Sequence, residues 1–166
     1  MRFQAQMNLS HLNVRREKAG DGPGDIAADL KLSGKVHIAD LRDLFLTEHG
    51  YAVVTGMFDA DGNLRSQDFD GFKLTRELIG VKTRLSTALG TPLDFDMADA
   101  DTFTISLELN NTALVSLRLQ VHPTEEQIGT LAELLTSDLT VVLEQVQGEL
   151  KLAGGTEAPQ AAAIGE

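Results

Sequence analysis

The chain has 166 residues, a formal net charge of −11 and no cysteine. That length suits one domain whose core needs no staples, and the composition excludes disulfide frameworks, thiolate metal sites and cysteine nucleophiles. So negative a field disfavours sequence-independent nucleic-acid binding, and seven Phe, one Tyr and no Trp are too few for a base-stacking platform.

The first residues alternate. Phe3, Ala5, Met7 and Leu9 share one face, with Gln4, Gln6, Asn8 and Ser10 opposite, which is the period of a half-buried strand. Leu12 and Val14 then fall out of phase, so a β-bulge is expected near Ser10 and His11. No apolar block here reaches signal-peptide length and no segment approaches a membrane span, so the expected location is the cytoplasm, with no membrane contact. Residues 18 to 25 form a glycine-rich turn cluster. A second strand follows, with Ile26, Ala28, Leu30 and Leu32 inward and Asp29, Lys31 and Ser33 outward, and the two strands predict a hairpin. Residues 39 to 46 read as a short helix: Leu41, Leu44 and Phe45 have helical spacing, and Asp40 is its candidate cap.

Residues 51 to 58 read as a strand, Asp59 to Asn63 as a turn, and Leu64 to Leu74 as an irregular strand or loop. Val81, Thr83, Leu85, Thr87 and Leu89 alternate with Lys82, Arg84, Ser86 and Ala88, a strand that Gly90 and Pro92 end. Next comes the clearest hairpin. Phe103, Ile105, Leu107 and Leu109 face inward, Asn110 and Asn111 tolerate the positive φ of a tight turn, and Ala113 to Val121 return. Thr124 and Gln127 make a capping box behind Pro123, ahead of a stripe of Ile128, Leu131, Leu134 and Leu135. Residues 139 to 146 read as a strand. Residues 153 to 166, rich in Ala, Gly and Pro, read as a disordered tail.

The order strand, strand, helix occurs twice. Leu30-Lys31-Leu32, Val36, Leu41, Leu44 and Phe45 match Leu117-Arg118-Leu119, Val121, Ile128, Leu131 and Leu134 in pattern. The reading is an α+β domain over residues 1 to 152, mostly antiparallel, with six to eight strands and two short helices. The repeated order suggests two related halves, 1 to 50 and 100 to 152, packed about a pseudo-twofold axis.

The segments Leu117 to Leu135 (LRLQVHPTEEQIGTLAELL), Leu12 to Lys18 (LNVRREK) and Asp29 to Gly34 (DLKLSG) resemble the ends of small phage and prophage proteins, while residues 50 to 100 show no such likeness. Those proteins often neighbour recombination or replication genes. The shared motif is structural, so the resemblance implies a setting and no catalytic residue.

Catalytic and cofactor signatures are missing. The four histidines, His11, His37, His49 and His122, include no pair two or four residues apart. No nucleophile elbow, phosphate loop or dinucleotide fingerprint occurs, so no cofactor is expected. Asp59, Asp61 and Asn63 alternate like calcium ligands, but Leu64 and Asp70 stand where such a loop needs Gly and Glu, which favours a tight turn. Asp94, Asp96, Asp99 and Asp101 form the densest acidic run. It reads as a solvated loop, as a surface for a basic protein partner, or as a hard-cation or acid-pair site. Lys73, Arg76, Lys82 and Arg84 lie close together with one acid, Glu77. They read either as an anion site or as partners for nearby carboxylates.

Two function classes follow. One is a non-enzymatic phage accessory protein acting near DNA recombination or replication through protein contacts. The other is an acidic DNA mimic that inhibits a host restriction or CRISPR nuclease complex. An enzyme ranks last, because no convergent catalytic set is visible. A homodimer is also expected, since Phe3 to Leu9 is a long proline-free strand whose edge has to be blunted or paired.

Overall fold

The computed structural model describes residues 1–18, 20–22, 24–69 and 71–145. The alternation at the N-terminus becomes β1 (Arg2–Arg16), with Phe3, Ala5, Met7 and Leu9 all buried. Its register against β2 (Ile26–His37) shifts between Leu9, opposite Leu32, and His11, opposite Lys31. The bulge therefore stands where the phase of the apolar residues breaks. A 3-10 helix (Ile38–Leu44) and α1 (Glu48–Thr55) follow, then β3 (Gly71–Lys73), β4 (Leu78–Ser86), β5 (Leu93–Glu108), β6 (Thr112–Val121), α2 (Glu125–Glu133) and β7 (Asp138–Glu144).

The molecule is thus mostly antiparallel β, with seven strands and three short helices. β1 pairs with β2 and β7, β2 with β6, β6 with β5, β5 with β4, and β4 with β7. Six strands therefore close into a barrel, while β3 continues the β4 ladder outward along β5. Phe3, Met7, Leu9, Leu30, Leu32, Leu85, Phe103, Ile105 and Leu117 fill the interior. Each such side chain contributes about 1.5–3 kcal/mol by leaving water. The 3-10 helix sets Ile38, Leu41 and Leu44 into one end of the barrel, and α2 sets Leu131 into the other. They lie at opposite ends because β2 and β6, which lead into them, are antiparallel.

The ring order reads the same from β1 as from β5. Lys31 and Arg118, equivalent in the repeated pattern, face each other at the centre of the β2–β6 ladder. Each of β1 and β5 also carries a register shift. In β1 the shift follows the Leu9–Leu32 pair, and in β5 it follows the Asp101–Arg118 pair, one rung further along the repeated pattern.

Several expectations are corrected. Residues 51 to 58 are mainly helix, not strand. Thr47 caps α1, its hydroxyl accepting from the Gly50 amide at 3.0 Å. The β-branched run Val53-Val54-Thr55 imitates a strand, but only Val54 is buried. The 3-10 helix is capped by His37, whose Nδ1 accepts from the Ala39 amide at 3.1 Å, and Asp40 sits in its first turn. The acidic run lies within β5, not in a loop before a strand. The strand invoked for a homodimer, Phe3 to Leu9, pairs with β7 on one side over Arg2–Asn8, and β2 joins β1 on the other side from Asn8 onward. The expected tail, 153 to 166, lies outside the described residues.

The capping box at α2 is complete: the Gln127 amide donates to the Thr124 hydroxyl at 3.2 Å, and the Thr124 amide donates to the Gln127 side chain at 2.9 Å. Thr124→Ala should destabilise the fold by about 1 kcal/mol, and Leu131→Ala, which opens the plugged end, by about 2–5 kcal/mol. Urea denaturation of both variants measures this; equal small losses would show that α2 does not close the barrel.

Candidate functional site

Closure leaves the interior packed, so the polar chemistry lies on the outer surface. The acidic run occupies the outside of β5, and the ladder sets cations against it. Arg84 of β4 stands opposite Asp94 and donates to it twice, at 2.6 and 3.1 Å. Arg118 of β6 stands opposite Asp101 and grips it with two nitrogens, one at 2.8 Å. These hydrogen bonds hold the Asp94 and Asp101 carboxyls below the usual carboxylate range. Asp99 accepts from the Gly80 amide at 2.9 Å. Asp96 forms no ion pair or hydrogen bond among the described residues. Of the four carboxylates, two are neutralised by arginine.

The basic set is dispersed. Lys82 and Arg84 share the outer face of β4 in a groove with Arg2, Asp94, Asp96 and Glu144. Lys73 lies on β3 opposite Thr104, and Arg76 donates to the Phe45 carbonyl at 3.1 Å. The groove beside Arg84 is therefore of mixed sign and contains two members of the expected set.

Between Leu78 and Val81 the β4–β5 register shifts. Gly80 sits there at φ +66°, and a side chain at that position would approach the Met97 methyl to 3.3 Å. Ile79 lies in this shift and Met97 in a second one between Val81 and Thr83, and both point outward: Ile79 is 69% exposed and Met97 68%. Asp96 and Asp99 flank them on β5. Single-residue periodicity hides this arrangement, because two rungs are skipped at once.

A second feature crosses four strands. His11, Lys31, Arg118 and Asp101 are successive cross-strand partners on the outer face. The first three, with Asp29, Thr102, Thr104 and Ser116, border an open groove of about 550 Å³ between the two bulged strands. The sequence signal for its centre was the echo of Leu30-Lys31-Leu32 in Leu117-Arg118-Leu119. His11 and Thr102 carry no such signal.

Other candidates are structural. The Asp59 carboxylate accepts from the amides of Asp61 and Asn63, both at 2.9 Å, which closes a turn around Gly62 at φ +80°. His122 lies 3.4 Å from Glu17. Among the described residues, no three His, Asp or Glu side chains are grouped to hold a metal ion, and no helix is long and apolar enough to cross a membrane. Comparison with protein-family models, curated proteins and solved structures finds no match to this chain.

Two outcomes follow. Gly80→Ala should destabilise by about 1–2 kcal/mol, since a side chain at positive φ is strained; thermal denaturation measures it. Asp94 and Asp101 should titrate below the ordinary value of about 3.9. Because their folded-state values are depressed, the stability they add is present above that pH and is lost as pH falls through the folded values. Carboxyl-carbon NMR resolves each group, and Arg118→Gln should return Asp101 toward the ordinary range. An unmoved Asp101 would show that Arg118 is not the cause.

Proposed function

We propose that this chain is a non-enzymatic protein-binding module whose contact surface is the bulged face of β4 and β5. One observation carries the reading: Ile79 and Met97 stand largely exposed on two adjacent bulges, the first held by the Gly80 amide's hydrogen bond to Asp99, over a barrel whose other large apolar side chains on these strands are buried. Bulges re-aim side chains near functional surfaces, and a few large side chains usually carry most of a protein interface's energy. Asp96 and Asp99 supply a negative rim, which suits a partner with an apolar recess edged by lysine or arginine. The setting, phage DNA recombination or replication, rests on the resemblance of the chain's ends alone.

Acidic mimicry of DNA is the less supported alternative. It needs a row of free carboxylates, whereas Arg84 and Arg118 each hold one member of the run. Arginine partners at those places lower the local field that a phosphate-binding groove would meet.

The discriminating experiment is affinity capture from phage-infected host cells, followed by binding kinetics with the recovered partner. The bait would be wild type, the Ile79→Ser/Met97→Ser variant, or the variant with Asp94, Asp96, Asp99 and Asp101 all changed to Asn. The apolar double variant should weaken binding by more than about tenfold, mainly through faster dissociation, with little change in salt dependence. Full binding by the double variant, together with loss in the four-Asn variant and in salt, would reverse the order of the two readings. Circular dichroism checks that each variant folds.

A further inference from the structure

The outer face of β2 and β6 sets two cations, Lys31 and Arg118, directly opposite each other, with the His11 imidazole beside them on β1. His11, Lys31 and Arg118 occupy adjacent strands on one rung, about 4.8 Å apart from strand to strand. Like charges directly opposite each other on a sheet are destabilising. Neighbouring carboxylates relieve only part of this. Asp101 is held by Arg118, and Asp29 is held by Arg15. Among the described residues, Lys31 has no carboxylate within 4.0 Å.

The next rung is made of hydroxyls: Ser33 faces Ser116, and Ser116 faces Thr104, to whose hydroxyl it is hydrogen-bonded. Thr102 stands at the β5 bulge, where its φ of 54° turns the chain, and its hydroxyl donates to Asp101 at 2.9 Å. An ammonium, an imidazole and the one hydroxyl proton left over by the Thr104–Ser116 pair thus border the groove of about 550 Å³, together with the Asp29 carboxylate and a guanidinium fixed in place by Asp101.

We propose that this groove binds the phosphate group of a small molecule. A tetrahedral phosphate has oxygens enough to accept from both the basic rung and the hydroxyl rung, and its charge removes the repulsion between Lys31 and Arg118. A carboxylate, with two oxygens in one plane, matches fewer of these donors. The small size follows from the net charge of −11, which opposes a polyanion along the barrel but acts weakly on a single screened phosphate. The groove is separate from the bulged face of β4 and β5 and stands whether or not that face binds a protein.

The test is a ¹H–¹⁵N NMR titration of the full chain with inorganic phosphate, a simple phosphomonoester and a short single-stranded oligonucleotide. Sodium chloride at matched ionic strength is the reference. Phosphate and the phosphomonoester should shift the amides of His11, Lys31, Thr104 and Ser116 beyond the chloride effect. Lys31→Gln should weaken that binding by about tenfold, the usual scale for one charge-assisted contact. Lys31→Arg should retain binding, as should Lys82→Gln in the other groove. Lys31 is exposed and unpaired, so these variants should fold; should one fail, the wild-type shift map alone decides. Chloride-like shifts, or wild-type affinity in Lys31→Gln, would overturn the site. Binding of the oligonucleotide but not the phosphomonoester would overturn the small-molecule assignment.

Discussion

The β5 strand makes the closure possible, and most other features depend on that closure. It is hydrogen-bonded to β4 along its first half and to β6 along its second, turning between them at the Asp101–Thr104 shift. β1 does the same between β7 and β2, turning at Ser10. Flat strands cannot close so small a ring, and bulges bend a strand while increasing its twist. With both bends present, β1 and β5 each pass from one neighbour to the next, the ring of six strands closes, and the interior fills with side chains.

Closure also governs the electrostatics. Once register is fixed, each outward side chain meets a particular neighbour. Arg84 meets Asp94, Arg118 meets Asp101, and Lys31 meets Arg118. The first two matches cancel charge, and the third concentrates it. Surface ion pairs like these contribute little stability each. Their consequence lies in the field they leave: the acidic run is weakened, and Lys31 is left without a carboxylate partner among the described residues.

Much of this fold was legible in the sequence. Alternating apolar residues mark β1, β2, β6 and the second half of β5, and the slip from Leu9 to Leu12 gives the position of a bulge. The capping box at Thr124 marks α2. What failed did so for local reasons. Val53, Val54 and Thr55 suit a strand, and they outweighed Thr47, whose cap fixes α1. Met97 and Ala98 break the alternation, so the strand seemed to start at Phe103 when it starts at Leu93. The candidate sites were less legible than the fold. Lys82 and Arg84 could be placed on one strand face from spacing alone, but their pairing depends on which strand lies beside them. The row His11, Lys31, Arg118 and Asp101 draws on four strands across most of the chain, and no window of sequence contains it.

The two function readings separate at this level of detail. A net charge of −11 gives a long-range attraction to any basic surface, and it is shared by every part of the molecule. Such attraction raises encounter rates without choosing a contact. The choice depends on groups that remain free after folding. On β5 those are Asp96, which has no partner among the described residues, and Asp99, which spends one oxygen on the Gly80 amide. Both stand next to exposed apolar side chains. A contact built from two carboxylates around Ile79 and Met97 is that of a protein interface, with an apolar centre and a charged rim. A phosphate mimic would need the same carboxylates spread evenly and without arginines between them. The register of β4 against β5 supplies the arginine at Asp94, and the register of β6 against β5 supplies the one at Asp101, so the pairing that closes the barrel also weakens the case for mimicry.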